Sequence, residues 1–388
     1  MSAPRSAPAR GGSAIARLAA AIRPVAALIL FAVVIAIVLA LVLLTLGASP
    51  VEVFADLWRG AFGDWLALTD TLVKSTPLIF TGLAVAVAFQ GALWNIGAEG
   101  QLLIGALAAG AIGPALGGWP HGAAIVAMLA AGAGGGALWG AIAGGLRARR
   151  EVNEVISTIM LNFVAAQVLS FAVHGPLMEA SGAFPASAPI AAAATFDVYL
   201  APSRLNFGML LAAGLAVACY LGLFHTAAGF QLRALGRNRR ASAFFGIPIA
   251  RMTIGTLALA GAIAGVGGAV QVSAITHRLY ETLSPGWGYE AIAVALVARL
   301  NPLAIVPAAV LFGALDNGSQ AMQRAAGVSP ELVYVIQALV ILTLLAFDAS
   351  ATGALRAAIL GAPAAGPDDP GAPPAALPPA APIATRDA

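Results

Sequence analysis

Charged residues are scarce in this sequence. Asp, Glu, Lys and Arg make up 10% of its 388 residues, whereas soluble domains contain about 25%. The chain is 60% hydrophobic, and its mean hydropathy is +0.90. A soluble protein of this size needs far more polar surface, so the composition excludes one. It predicts an all-α polytopic membrane protein whose abundant alanine and glycine let the helices approach closely.

Cysteine and lysine are nearly absent, and each absence excludes a class of chemistry. Cys219 is the only cysteine, so no disulfide can form within the chain. Lys74 is the only lysine, and Ser75 follows it. A phosphate-binding loop would require glycine at two preceding positions, which Leu68 and Val73 occupy. The sequence therefore predicts that ATP hydrolysis, if any is needed, belongs to another polypeptide.

Histidines are few and lie in separate segments, without the spacing of metal ligands. No nucleophile, histidine and acid can be grouped from the sequence, so we predict neither an enzyme nor a metal or cofactor in this chain. The basic residues follow the usual membrane pattern and do not require nucleic acid. The four histidines are His121, His174, His225 and His277.

Long apolar runs dominate the sequence. A membrane-crossing helix needs about 20 apolar residues. The first run follows an arginine-rich tail, 1–23, and is too long for the apolar core of a signal peptide, so a retained helix is predicted. We assign 24–350 to a membrane domain and the Pro/Ala-rich stretch 351–388 to a disordered tail. About ten spanning or half-spanning helices are predicted, with broken helices near the centre: 24–46, 76–94, 100–118, 121–146, 154–173, 206–226, 250–273, 288–299, 302–318 and 331–348.

The distribution of basic residues gives an orientation. With the N-terminus inside, fifteen of the 20 basic residues fall in cytoplasmic stretches and five, including Lys74, in outer ones. This agrees with the positive-inside bias and predicts that both termini are cytoplasmic. The outer stretch 47–75 resembles a short surface helix, and Asp316 is interpreted as a charge near a helix end.

A polar break interrupts the apolar pattern near residue 95. Backbone opened inside a membrane, and a carboxylate such as that of Glu99, must be buried against protein or line a wet cavity. Short interrupted segments of this kind mark the pathway in many transporters, and a similar interruption at Asn301-Pro302 suggests a weak internal repeat. The break therefore predicts part of a pathway for a transported solute, with Asn95, Glu99 and Gln101 as its residues.

A second set of polar residues begins the helix predicted at 154–173. Glu154, Thr158 and Asn162 share one helical face, and Asn153 precedes them. We predict that this set also lines the pathway. The alternative is that these side chains form ordinary hydrogen bonds between helices. Weaker pathway candidates are Glu290, Asn317, Gln323 and Gln337.

The segment 229–250 predicts a short cytoplasmic helix. Asn238 is a good N-cap and Gly246 a good residue for the C-terminal turn. Between them, Phe244 and Phe245 follow Ala241 by three and four residues, which is about one turn of a helix. Two exposed phenylalanines make sense if a partner protein covers them. The alternative is a basic loop whose phenylalanines insert among lipid headgroups.

Three stretches resemble the permease subunits of ABC importers, in the branch that serves branched-chain amino acids, simple sugars and nucleosides. They are 95–101 (NIGAEGQ), 151–162 (EVNEVISTIMLN) and the loop 233–248, and the first two are most similar to nucleoside permeases. The resemblance implies that the loop is a coupling helix that binds a separate ATPase subunit. The coupling residues would be Arg233, Gly236, Asn238, Ala241, Phe244, Phe245 and Gly246.

The same resemblance implies an assembly in a bacterial inner membrane. ATP and Mg would bind the ATPase, a second permease would complete the path, and an extracellular lipoprotein would deliver a small neutral solute. A nucleoside is favoured, and a simple sugar or a branched-chain amino acid is the alternative. A proton- or ion-coupled secondary transporter is the alternative from another class, but it would not explain the two phenylalanines.

Overall fold

The computed structural model describes residues 49–326, except 183 and 200, and isolated positions at 33, 37, 40, 41, 43, 44, 334, 335 and 338. Apart from Val33, these residues belong to one compact unit, Ile35–Ile341. The predicted tails lie outside the described residues, as do Gln337 and most of the helices predicted at 24–46 and 331–348.

Regular structure in the described part is helical, apart from isolated β-bridges. Short 3-10 and π segments extend two of the helices, at Gly113–Gly118 and Val272–Thr276. The helices are α1 (Pro50–Phe62), α2 (Trp65–Gln90), α3 (Ala98–Ile112), α4 (His121–Arg150), α5 (Glu154–His174), α6 (Phe207–His225), α7 (Ala227–Arg237), α8 (Arg239–Phe244), α9 (Ile249–Gln271), α10 (Trp287–Val297) and α11 (Pro302–Ala326).

Seven of these described helices, α2 to α6, α9 and α11, are long and apolar enough to cross a membrane, and α10 is a shorter apolar helix. The predicted bounds of α5 and α6 are correct to within one residue at each end. Local capping explains this accuracy, because Asn153 accepts a hydrogen bond from the backbone N–H of Val155 and Asn206 accepts one from Gly208.

Two predicted boundaries are wrong by eight residues or more. Helix α2 begins at Trp65 rather than 76, because Asp64 accepts a hydrogen bond from the backbone N–H of Ala67 at 2.7 Å and caps the helix there. Helix α11 continues to Ala326, eight residues beyond its predicted end. The stretch 47–75 contains the short helix α1, as predicted, but most of the remainder belongs to α2.

Helices α2, α3 and α9 form the centre of the bundle, and α4, α5 and α6 have more of their surface exposed. Glycines permit the closest of these contacts. Gly132 and Gly136 of α4 face Gly261 and Gly265 of α9, where an added Cβ atom would overlap the opposite backbone. Small residues therefore allow tight helix packing, as the composition predicts.

Helix α11 packs against both α1 and α2. The side chain of Asn317 on α11 fixes this corner, because its amide nitrogen lies within hydrogen-bond distance of the carbonyl oxygens of Gly60 and Ala67 and of the Thr71 hydroxyl, at 2.9, 3.0 and 3.2 Å. This pathway candidate therefore holds helices together in the described structure.

Candidate functional site

The predicted break lies between the end of α2 at Gln90 and the start of α3 at Ala98. Its centre is a pair of amides, in which Asn95 donates to the Oε1 of Gln101 at 3.0 Å and Gln101 donates to the Oδ1 of Asn95 at 3.1 Å. The same Asn95 oxygen accepts a hydrogen bond from the backbone N–H of Gly97. Both amide side chains are buried, so protein rather than lipid satisfies this part of the break.

Asn162 of α5 completes the break from the opposite side. Its Oδ1 accepts a hydrogen bond from the backbone N–H of Gly100 at 2.8 Å, and its amide nitrogen donates to the carbonyl of Ile96, also at 2.8 Å. One side chain therefore satisfies one backbone donor and one backbone acceptor that the interrupted helix leaves open. This contact joins the two sets of polar residues that the sequence predicts for the pathway.

Glu99 joins the break to α10. Its Oε2 accepts a hydrogen bond from the backbone N–H of Gly288 at 2.7 Å, in the first turn of that helix. A carboxylate is favoured there because the N-terminus of a helix carries partial positive charge. An added Cβ atom on Gly288 would overlap the backbone of Glu99, so the close approach requires glycine. Two helix N-termini, of α3 and α10, therefore meet at Glu99.

The remaining predicted pathway residues have separate contacts. Glu154 forms an ion pair with Arg147 of α4 at 3.0 Å, and the hydroxyl of Thr158 donates to the carbonyl of Glu154 within its own helix. Asn153 is exposed and caps α5. The structure therefore groups Asn95, Glu99, Gln101 and Asn162 around one break and places Glu154 in a neighbouring ion pair. Contact of these residues with a solute stays a prediction.

The short helix expected after Asn238 lies where the sequence predicts it. Asn238 caps α8 by accepting a hydrogen bond from the backbone N–H of Ala241 at 2.9 Å, and Gly246 follows the helix with a φ of 77°. Phe244 and Phe245 are 87% and 80% exposed, and their rings meet edge to face at 5.7 Å. Such a pair is the largest apolar feature that α8 offers to a partner.

Helix α7, which the sequence analysis did not assign, connects α8 to the bundle. Gly236 lies against the carbonyl of Gln90, where an added Cβ atom would overlap that oxygen. Thr226 caps α7, and Arg233 anchors its middle by donating to the carbonyl of Leu223 at 2.6 Å. Leu232 and Leu235 are buried and lie three residues apart, with polar side chains between and around them. This amphipathic spacing was the signal for a helix in the sequence.

The two interruptions in the chain contact each other next to α7. Helix α10 ends at Val297, and Arg299 and Leu300 both have a positive φ, about 50° and 57°. The side-chain amide of Gln90 donates to the carbonyl of Leu300 at 3.1 Å. A cavity of about 1200 Å³ lies beside this contact, and its walls include Gln90, Leu300, Asn238 and Phe245. Helix α7 therefore reaches both breaks through Gln90, and α8 lines the cavity beside them.

An ion pair within the bundle was also missed. Lys74 lies on α2 rather than in an outer loop, and its Nζ is 2.9 Å from an Oδ2 of Asp316 on α11. Asp316 is therefore not a charge near a helix end, because α11 continues for ten residues beyond it. The late start assigned to α2 and the early end assigned to α11 concealed this pair.

Comparison with known proteins gives the family. Residues 67–345 match the family described as "Branched-chain amino acid transport system / permease component". A guanosine ABC transporter permease of Bacillus subtilis is 34% identical over 78% of this chain and 88% of its own length. A glucose ABC transporter permease of Haloferax volcanii is 33% identical over 78% and 82%, and a nucleoside ABC transporter permease of Lactococcus lactis is 32% identical over 78% and 85%.

No solved structure matches the chain. The family match covers most of the sequence, including the break, the polar start of α5 and the segment from α7 to α8. The family that the three motifs suggested is thereby confirmed, together with a multi-pass membrane location. The chain belongs to the branched-chain amino acid transport system permease family and is an ABC transporter permease.

Proposed function

We propose that this chain forms the translocation path of an ATP-driven importer for a small neutral solute, with a nucleoside as the leading candidate. Two relatives that cover most of the chain are named for guanosine and for nucleosides. The relative named for glucose supports a simple sugar as the second candidate. Both kinds of solute are neutral and rich in hydroxyl groups.

The single observation that carries the proposal is the exposed pair Phe244 and Phe245 on the capped helix α8. Burying a phenylalanine contributes roughly 1.5–3 kcal/mol, so covering both contributes about 3–6 kcal/mol to binding of a partner. The partner that explains this surface is the ATPase subunit, which would hold ATP and Mg. A secondary transporter has no comparable use for it.

Force applied to α8 has a direct route to the breaks. Helix α7 follows any movement of α8, because Asn238 joins them. The contact of Gly236 with Gln90 passes that movement to the end of α2, and Gln90 passes it to Leu300. Closure of the ATPase on ATP would thus shift both interrupted segments and open the path alternately to each side.

The complete importer would contain further subunits. A second permease would provide the other wall of the path, and an extracellular lipoprotein would deliver the solute to the outer loops. The location would be a bacterial inner membrane with both termini in the cytoplasm, as the arginine distribution predicts. The polar residues around Asn95 and Asn162 would keep the moving break intact inside the membrane.

Uptake by right-side-out vesicles that contain all subunits and enclose ATP tests the proposal. We expect ATP-dependent accumulation of guanosine or glucose, and at least a tenfold loss in the variant Phe244→Ala/Phe245→Ala. Phe171→Ala is the matched control, because Phe171 is 72% exposed but lies on α5 rather than on α7 or α8. Full uptake by the double variant, or uptake that follows a proton gradient without ATP, would contradict the mechanism.

A further inference from the structure

Charged side chains are unevenly distributed within the described spans. Those that lie more than one helical turn from either end of a spanning helix are Asp70 and Lys74 on α2 and Asp316 on α11. Helix rise places Lys74 about 24 Å from Gln90 and Asp316 about 21 Å from Pro302. Lys74 is also about 14 Å from Trp65 and Asp316 about 15 Å from Ala326, so each charge lies well inside its spanning helix.

The pair formed by Lys74 and Asp316 is only partly enclosed. The Lys74 side chain is 24% exposed and that of Asp316 is 44% exposed. The ammonium nitrogen itself is buried, and no hydrogen bond to it is formed in the described structure beyond the ion pair. The Asp316 carboxylate therefore has an open side within the depth of the membrane. Lipid is a poor environment for that open side, because charged groups inside a bilayer are costly and face a wet cavity or other protein.

Glu290 extends the same face onto α10. It lies in the first turn of that helix, is partly exposed, and forms no ion pair with any described residue. The carboxyl groups of Asp316 and Glu99 are close enough to act on it electrostatically. Lys74, Asp316 and Glu290 thus form one charged face across α2, α11 and α10. The face therefore consists of one ion pair and one further carboxyl group.

Helix α5 provides the contrast. Its exposed side chains include Phe163, Val164 and Phe171, which suit contact with lipid acyl chains. The charged face has the opposite chemistry at a comparable depth. Hydrophobicity therefore distinguishes a lipid-facing side of the bundle from a side that needs water or polar partners.

We infer that the charged face of Lys74, Asp316 and Glu290 lines the solute path and that its carboxylates bind hydroxyl groups of the solute. The inference rests on the proposed function and names the residues that would recognise the hydroxyl groups of its solute. An ionised carboxylate accepts hydrogen bonds from hydroxyl donors, and a protonated one can also donate a hydrogen bond, so Asp316 and Glu290 can bind hydroxyl groups in either state.

The face is also connected to helices α7 and α8. Glu290 lies two residues beyond Gly288, which binds Glu99 at the first break. The other end of the same helix leads to Leu300, which accepts the hydrogen bond from Gln90. Movement that begins at α8 and reaches Gln90 therefore reaches the helix that carries Glu290. This arrangement places solute binding and coupling on one short helix.

Cysteine labelling in intact cells that express all subunits tests the inference. The single native cysteine is replaced first, as Cys219→Ser, and Glu290→Cys or Gln320→Cys is then added. Gln320 lies one turn beyond Asp316 and is exposed, so it provides a second probe if Glu290→Cys does not fold. Val164→Cys is the matched control, because Val164 is 47% exposed on α5.

We expect a membrane-impermeant maleimide to label the face variants at least tenfold faster than the control. Guanosine or glucose, whichever the vesicles accumulate, should slow that labelling at least threefold. Labelling as slow as that of Val164→Cys would show that the face is not wet, and fast labelling without protection would show that the solute passes elsewhere; either result overturns the inference. Labelling requires no ATP, so it is independent of the uptake test of the phenylalanines.

A substrate series adds a second readout. Glu290→Gln should raise the KM for guanosine at least tenfold, and it should leave the KM for 2′,3′-dideoxyguanosine within twofold of the parent protein. If glucose is the solute, the corresponding pair is glucose and its 2-deoxy analogue. Equal changes for both members of the pair would indicate a structural effect and would contradict hydroxyl recognition.

Discussion

Replacing Asn162 with leucine should strongly destabilise the bundle. Leucine has a similar size, but it removes both hydrogen bonds to the break and leaves the Gly100 N–H and the Ile96 carbonyl without their partner. A buried backbone group left unsatisfied costs about 1–3 kcal/mol, so the variant Asn162→Leu should lose about 2–6 kcal/mol of unfolding free energy. Two average hydrogen bonds between membrane helices would account for only about 1.2 kcal/mol.

The higher range should apply, because Ile96 lies in the break and Gly100 in the first turn of α3, where a backbone N–H has no partner within the helix. The measurement is denaturation of the purified permease by sodium dodecyl sulfate in bicelles, followed by tryptophan fluorescence. Asn153→Ala is the control, since an exposed cap contributes about 1 kcal/mol. A loss for Asn162→Leu no greater than that of the control would refute the assignment of Asn162 as the support of the break.

Three further outcomes follow from close contacts and caps. Gly236→Leu would press a side chain against the Gln90 carbonyl, so uptake should fall at least tenfold while the ATPase still co-purifies with the permease; unchanged uptake would exclude this contact from coupling. Asn238→Ala removes the cap of α8 and should weaken ATPase binding about fivefold, the equivalent of about 1 kcal/mol, as measured by titration in detergent. Gly288→Ala would displace Glu99 and should lower stability by about 1–3 kcal/mol, which a thermal shift relative to Gly255→Ala, a glycine with open space around it, would detect.

Capping residues and apolar length made much of the fold predictable. Asn238 and Gly246 bracket α8, as their sequence positions predict. Apolar length located α5 and α6, and the structure shows that Asn153 and Asn206 cap them. The prediction failed for α2, where Lys74 among apolar residues suggested a loop. A buried charge looks like the end of a span until its partner is known, and Asp316 is more than 200 residues away in the sequence.

The contacts of the candidate site were less predictable for the same reason. The sequence identifies Asn95, Glu99, Gln101 and Asn162 as unusual in a membrane, but it does not show that they bond to each other or to the backbone. Glu99 binds the backbone of Gly288, a partner that has no side-chain signature. Long-range backbone partners leave no trace in local patterns, so only the assembled structure shows which polar groups are satisfied.

The polar residues fall into two groups, according to whether their hydrogen bonds are already formed within the protein. Asn95, Gln101 and Asn162 are buried and direct their hydrogen bonds toward the break, so a solute could reach them only if those bonds were exchanged. Glu290 and Asp316 retain accessible carboxylates, and rearrangement is not required for them to meet a solute. A permease that must bind its solute weakly and release it in every cycle gains from this division. The buried amides keep the interrupted backbone stable during movement. The accessible carboxylates exchange a hydrogen bond with water for one with a solute hydroxyl at little cost.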